Sequence, residues 1–412
     1  MALTEGQRKI KLNVKSQIKD IKLNILLEVT KAINNNFSTQ HLLDIYEDVL
    51  RNKLSIGKLV LFGLDERWTC LLKYGVGAEH EKINVERELL PVKEIGTINF
   101  HSAELENSFE IVVPVFHKSQ PLAYVLISDL EDDKLELSAA IKHLPFVQTL
   151  TNIIIVAIEN KKLYKENIQK AALNKELELA SQMQHMLFPE VLPDNDVLQV
   201  DALYLPHQQV GGDYYDLIWL SDNEFAFCMA DVSGKGVAAA LLMSNFQANL
   251  RVLLNYSSSL KDLVSQLNKK VMLNAKGEKF ITFFIGKYNT QTRILSYVNA
   301  GHNPPVLFAG KNSILLKAGC TGLGMFDELA HVKEGFLSVP KNSIITCYTD
   351  GVVEVENEDN DSFGAERVME IMRTYKEKTA RGINQQILFN LVEFKGTRPY
   401  VDDIALFSCR IF

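Results

Sequence analysis

The stretch Val210-Gly211-Gly212-Asp213-Tyr214-Tyr215-Asp216 decides how the chain is read. Beyond it, Tyr214 to Leu220 alternates as a half-buried strand, Ser221-Asp222-Asn223-Glu224 supplies turn residues, and Phe225 to Ala230 returns as a second strand. A turn centred on Asp222 and Asn223 predicts Asp213 almost opposite Asp231 at the open end of a hairpin. Gly211 and Gly212 on one side, and Gly234 and Gly236 in Ala230-Asp231-Val232-Ser233-Gly234-Lys235-Gly236 on the other, let the backbone bend closely around that end.

Two further carboxylates stand at strand ends. Ile344 to Tyr348 is apolar and Thr349-Asp350-Gly351 turns away from it, while Asp402 and Asp403 precede the run Ile404-Ala405-Leu406-Phe407. An Asp beside a Gly is, taken singly, more simply a turn residue. Four such aspartates at strand ends repel one another unless cations intervene. A site of carboxylate oxygens suits the hard ions Mg²⁺ or Mn²⁺ rather than Zn²⁺.

In order along the chain, A-S-Q-M-Q-H-M-L-F-P, V-G-G-D-Y-Y-D, A-D-V-S-G-K-G-V-A-A-A, A-G-H-N-P-P, Y-T-D-G-V-V-E and D-D-I-A resemble the signature of bacterial metal-dependent phosphatases of the SpoIIE/RsbU class, which are similar to PP2C enzymes. The resemblance covers about Leu177 to Phe412. It implies a PP2C-like β-sandwich flanked by helices, with two Mn²⁺ or Mg²⁺ ions at one end. It also implies that Asp231 bridges the ions, that Asp213 and the Val232 backbone carbonyl complete one set of ligands, and that Asp350 and Asp402 hold the other ion. Asp403 is given a supporting role, and Asp216 either holds a water at the metals or is a surface turn acid.

The chemistry that follows is phosphoryl hydrolysis by a water activated between two cations, with Asp213 and Asp231 holding it. No cysteine begins the C-x₅-R arrangement of a thiol-dependent phosphatase, and no G-x₄-G-K-[ST] loop is present. His302 in A-G-H-N-P-P is a candidate general acid for the leaving seryl oxygen, although a loop-fixing role through hydrogen bonds explains it more simply. Gly301 and Asn303 are candidate substrate-groove residues. The substrate class implied is a phosphoserine or phosphothreonine protein, with a phosphorylated STAS-type anti-sigma antagonist suggested by the family. The competing reading is a non-catalytic scaffold that docks partners through a phosphatase-like domain.

The chain of 412 residues, 47% hydrophobic and 23% charged, has room for two or three folded units. Its net charge of -7 is spread along the chain, which speaks against a nucleic-acid surface. Five scattered cysteines without C-x-x-C spacing point to reduced thiols, and the polar start M-A-L-T-E-G-Q-R-K-I lacks the apolar core of a secretory signal. No apolar run approaches the roughly 20 residues that span a bilayer, so a cytoplasmic protein without membrane insertion is expected.

The fold class expected is α+β in several domains. Residues 1–160 form a GAF-like α/β sensor or dimerisation domain, on the strength of two helices broken at Asn34-Asn35-Asn36, then short strands ending in I-V-V-P-V-F-H-K-S-Q-P-L-A-Y-V-L-I-S. Residues 161–188 are a helical linker, and residues 189–412 the PP2C-like domain. Between Pro145 and Leu187 neither Gly nor Pro intervenes, which permits one long helix. Its residues Leu150, Ile154, Ala157, Tyr164, Ile168 and Ala171 follow a two-helix seam, so a homodimer through the N-terminal domain and linker is expected, against a single helix packed on its own domains.

Overall fold

Residues 5–97, 109–128, 139–310 and 312–412 are described in the computed structural model, and they fall into two units that part between Lys170 and Ala171. In the first, α1 (Glu5–Asn34) and α2 (Thr39–Asp48) precede β1 (Lys58–Leu64), β2 (Trp68–Tyr74), the single turn α3 (Val85–Glu88), β3 (Gly96–Thr97), β4 (Ile111–His117), β5 (Gln120–Ser128) and the long helix α4 (Ala139–His185). The break between α1 and α2 contains Asn36 in the left-handed region, φ 54°, and the Ser38 side chain caps α2 by accepting from the His41 amide at 3.2 Å. The five strands form an antiparallel sheet in the order β2-β1-β5-β4-β3. Strand alternation sends Leu59, Leu61, Val113, Val125 and Ile127 to a core shared with Val29, Tyr46, Val147, Leu150 and Ile154.

Helix α4 departs from the sequence reading in three ways. It begins at Ala139 and carries Pro145 inside; proline removes its own N–H bond, and burial of Phe146, Val147 and Leu150 in the core holds the turn together. Leu150 and Ile154 are core residues and so are not free for a partner helix, whereas Tyr164 and Ile168 farther along are 67% and 52% exposed. By length and composition alone the helix also contains a window apolar enough to cross a bilayer, with mean hydropathy 1.4 and a third of it buried. Phe146, Val147, Leu150, Ile154 and Ile155 turn that apolar content to the core of the first unit.

The second unit contains β6 (Leu198–Leu205), β7 (Tyr214–Ser221), β8 (Glu224–Val232), α5 (Val237–Leu253), α6 (Leu260–Ala275), β9 (Ile281–Asn289) and β10 (Ile294–Ala300). There follow β11 (Val306–Ala309), β12 (Asn312–Leu315), β13 (Gly319–Cys320), β14 (Gly335–Ser338), β15 (Ser343–Tyr348), α7 (Asp350–Val353), α8 (Gly364–Thr374), α9 (Ala380–Lys395) and β16 (Ile404–Ile411). One sheet runs β13-β10-β9-β8-β7, with β14 also on β10, and the other β12-β11-β15-β16-β6. Period-two alternation along β8 builds the layers. Phe225, Phe227 and Met229 enter the core between the sheets, where Phe227 stacks on Phe407 with ring centroids 5.9 Å apart. Ala226, Cys228 and Ala230 face the other way, onto Met243, Phe246 and Leu250 of α5 and Leu263 and Leu267 of α6. Helices α8 and α9 cover the second sheet through Val368, Met372, Ile383, Ile387 and Leu391. The result is a β-sandwich with a helical layer on each outer face. All five cysteines are free, and Cys228, Cys347 and Cys409 are buried in these cores.

Candidate active site

The four strand-end aspartates gather because two pairs of strands stop in register. Tyr214 pairs with Ala230 across the β7–β8 hairpin, whose turn is Asp222–Asn223, so Asp213 and Asp231 meet just beyond that rung. Tyr348 pairs with Leu406, which sets Asp350, at the start of α7, and Asp402, just before β16, at one end of the second sheet. Two glycines permit the close approach. A Cβ on Gly212 would lie 2.9 Å from the Val232 carbonyl oxygen, and one on Gly351 would lie 1.9 Å from the Asp403 carbonyl oxygen, well inside contact distance.

Electrostatics records the crowding. Burial first, then the charges of Asp231 and Asp403, push the Asp213 carboxyl well above the usual range. Burial together with the Asp350, Asp402 and Asp403 charges raises Asp231 to about 7. Asp350 is raised by burial, then by Glu354 and Asp402, with Lys235 acting in the opposite direction. Each carboxylate thus disfavours charge on its neighbours. Asp213 is 2% exposed, and its Oδ2 is buried without a hydrogen-bond partner. Among the described residues no three Asp, Glu, His or Cys side chains converge as a preformed cation site. The acids are neighbours that repel, and one of them is already paired: Lys235 Nζ lies 2.9 Å from Asp402 Oδ2 and donates to the Val401 carbonyl.

Two polar side chains hold the loop that delivers Asp213. Asp403 accepts from the His207 amide at 2.7 Å, the Gly212 amide at 2.9 Å and the Tyr204 hydroxyl at 3.3 Å. Gln184, in the last turn of α4 and 6% exposed, donates to the Gly211 carbonyl at 2.7 Å and accepts from the Gly211 amide at 3.2 Å. The sequence reading quoted Gln184 within A-S-Q-M-Q-H-M-L-F-P but assigned it no role; nothing local marks a glutamine whose partner is a loop backbone.

Two candidates look different in place. His302 is 5% exposed, shares a hydrogen bond of 2.9 Å between Nδ1 and the Thr282 hydroxyl, and its amide is held by Asn299 Oδ1 at 2.8 Å. Burial pushes its pKa down to about 4, with the Tyr348 backbone opposing. A buried neutral imidazole fixes the loop and has no proton to spare at neutral pH. Gly301 is exposed beside it and Asn303 half-buried, with Asn303 Nδ2 unpartnered. Asp216 is neither a turn acid nor a neighbour of the cluster. It is fully buried on β7, accepting from Arg251 Nε at 2.8 Å and Nη2 at 3.1 Å and from the Tyr214 hydroxyl.

Residues 221–412 match the family of stage II sporulation protein E (SpoIIE). In fold the chain is similar to the SiaA-PP2C domain of Pseudomonas aeruginosa, with a TM-score of 0.54 at 18% identity over 59% of this chain and 99% of that one. In sequence the chain is similar to Protein IcfG of Synechocystis, 30% identical over 241 residues that cover 52% of this chain and 38% of IcfG. It is also similar to the phosphoserine phosphatase RsbU of Bacillus subtilis, 29% identical over 189 residues that cover 45% of this chain and 56% of RsbU. The chain therefore spans little more than a third of the length of IcfG and little more than half of that of RsbU.

Proposed function

We propose that this chain is a divalent-metal-dependent protein serine/threonine phosphatase. The observation that carries the reading is the placement of Asp213, Asp231, Asp350 and Asp402 at one end of the sandwich, where burial and neighbouring carboxylate charges raise the pKa values of Asp213, Asp231 and Asp350. A buried, unpartnered Asp213 Oδ2 among repelling carboxylates fits a hard cation, which would complete its coordination and relieve the repulsion. Asp213, Asp231 and the Val232 carbonyl would hold one Mn²⁺ or Mg²⁺, and Asp231, Asp350 and Asp402 the other. Bound cations of this kind lower the pKa of a water molecule and neutralise phosphoryl charge.

The protein's own part is positional. The β7–β8 register and the β15–β16 register set the spacing of the acids, Asp403 and Gln184 hold the Asp213 loop, and His302 ties the Ala300-to-Pro304 segment to β9 through Thr282. The likeness to RsbU supports a phosphoserine protein as substrate, and a phosphorylated STAS-type anti-sigma antagonist in a cytoplasmic partner-switching system is the candidate. The N-terminal unit, with its antiparallel sheet and its exposed Tyr164 and Ile168 on α4, is assigned to GAF-like sensing and to homodimer formation.

The test is release of phosphate from a phosphoserine protein by the full chain with Mn²⁺, compared with Asp231→Asn. Loss of turnover in the variant alone supports the enzyme. A folded wild-type chain that binds Mn²⁺ yet hydrolyses neither a phosphoprotein nor p-nitrophenyl phosphate would make the domain a docking scaffold.

A further inference from the structure

Lys235 is a cation that acts on the acid cluster, and its placement is specific. It sits between Gly234 and Gly236 in the loop that leads from Asp231 into α5, both glycines having positive φ, 82° and 74°. From there its ammonium reaches across to the other sheet, to Asp402 Oδ2 at 2.9 Å and the Val401 carbonyl. The loop is held from its other side by Lys279, whose Nζ donates to the Ser233 carbonyl at 2.8 Å, while the Ser233 hydroxyl accepts from the Phe280 amide at 2.9 Å. The loop backbone is thus anchored while the Lys235 side chain, 41% exposed, spans the gap on a flexible stem.

Resting on the assignment of Asp402 as a cation ligand, we propose that Lys235 is an exchangeable counter-ion. It holds Asp402 while the divalent cation is absent, yields that carboxylate when the cation arrives, and then offers its freed ammonium to the phosphoryl group of the substrate. The charges favour such an exchange. A monovalent ammonium and a divalent ion against one carboxylate oxygen repel each other, and a half-exposed ion pair is weak enough to surrender. A phosphoryl dianion approaching a ring of aspartates is favoured by a further cation at the rim, where the Lys235 ammonium lies beside Asp402.

The full chain carries the test in three measurements on wild type, Lys235→Gln and Lys235→Arg. Calorimetric titration with Mn²⁺ alone, without substrate, should show the weaker site of Lys235→Gln binding severalfold tighter than wild type; equal or weaker binding overturns the competition. Acylation of Lys235 by an amine-selective reagent, read by peptide mass, should rise severalfold when Mg²⁺ is added while Lys279 stays constant. A Lys235 rate that is unchanged or lowered shows that the pair survives the metal, and overturns the exchange. With p-nitrophenyl phosphate as probe, Lys235→Gln should raise KM about tenfold with a smaller change in kcat, and Lys235→Arg should restore it; an unchanged KM removes the phosphoryl role. A chain without any phosphatase activity would fail the functional reading and still leave the first two measurements able to decide the exchange.

Discussion

Gln184 grips Gly211 from both sides of one peptide plane pair, donating to its carbonyl at 2.7 Å and accepting from its amide at 3.2 Å. The next residue but one is Asp213, so the end of α4 and a cation-ligand candidate share a rigid connection only a few bonds long. Replacing Gln184 by Leu keeps the volume and leaves a buried N–H and C=O unpaired, at about 1–3 kcal/mol. Thermal unfolding should show that loss. Mn²⁺ affinity, measured separately, should fall as well, since the Asp213 loop loses one of its two clamps.

The second clamp is Asp403, and its loss should be more severe. Three donors converge on its carboxylate, and hydrogen bonds to a charged acceptor contribute about 1.5–3 kcal/mol each at most. Asp403→Ala is expected to unfold at markedly lower urea than Tyr204→Phe, which removes a single 3.3 Å bond. Equal midpoints for the two variants would mean that the carboxylate does not organise the loop.

Asp216 and Arg251 make an asymmetric pair: the carboxylate is fully buried and the guanidinium side chain 46% exposed. Arg251→Met strands a buried charge beside Tyr214 and should cost roughly 3–5 kcal/mol. The double variant Asp216→Asn, Arg251→Met removes the charge along with its partner. Most of the stability should return in that variant, which a double-mutant cycle in urea would read directly.

Asp231→Asn should abolish turnover and yet stabilise the metal-free protein. The folded pKa of about 7 lies above the ordinary carboxylate value, so the wild type has its full stability below the unfolded pKa and loses it as the pH rises through 7. The amide cannot charge. At pH 8 the variant should gain on the order of 2 kcal/mol over wild type, given about 1.4 kcal/mol per pKa unit shared among coupled acids. Below about pH 4 the gain should vanish.

His302 works with the opposite sign. Its folded pKa of about 4 is below the unfolded 6.5, so stability is present above pH 6.5 and is lost as the pH falls through 4. His302→Gln should flatten the stability profile between pH 6.5 and 4 by roughly 3 kcal/mol relative to wild type. Urea titrations at pH 7 and pH 4.5 give the comparison, and parallel profiles would show that the imidazole is not buried as a neutral group.

What could be read from residues alone follows their range of interaction. The β7–β8 hairpin was legible because turn residues and period-two alternation are local, and the meeting of Asp213 with Asp231 follows from that register. The start of α5 after Gly236 was equally local. The clamps were not legible: Gln184 is 27 residues from Gly211, and Asp403 is 191 from Gly212. The burial of Asp216 was not legible because its partner lies 35 residues on, in a helix whose facing only the packed layers define. In α4, spacing alone did not tell that Leu150 and Ile154 would be spent on the core of the first unit rather than kept for a second helix.

One of the tightest points of the site carries no functional group. A methyl on Gly351 would sit 1.9 Å from the Asp403 carbonyl oxygen, so even alanine must pry the Asp350 turn from the strand bearing Asp402. Inactivating substitutions should therefore cluster at Gly351 as densely as at the acids themselves. A search for damaged variants that considered only the carboxylates would pass over a position where every aspartate survives and their spacing does not.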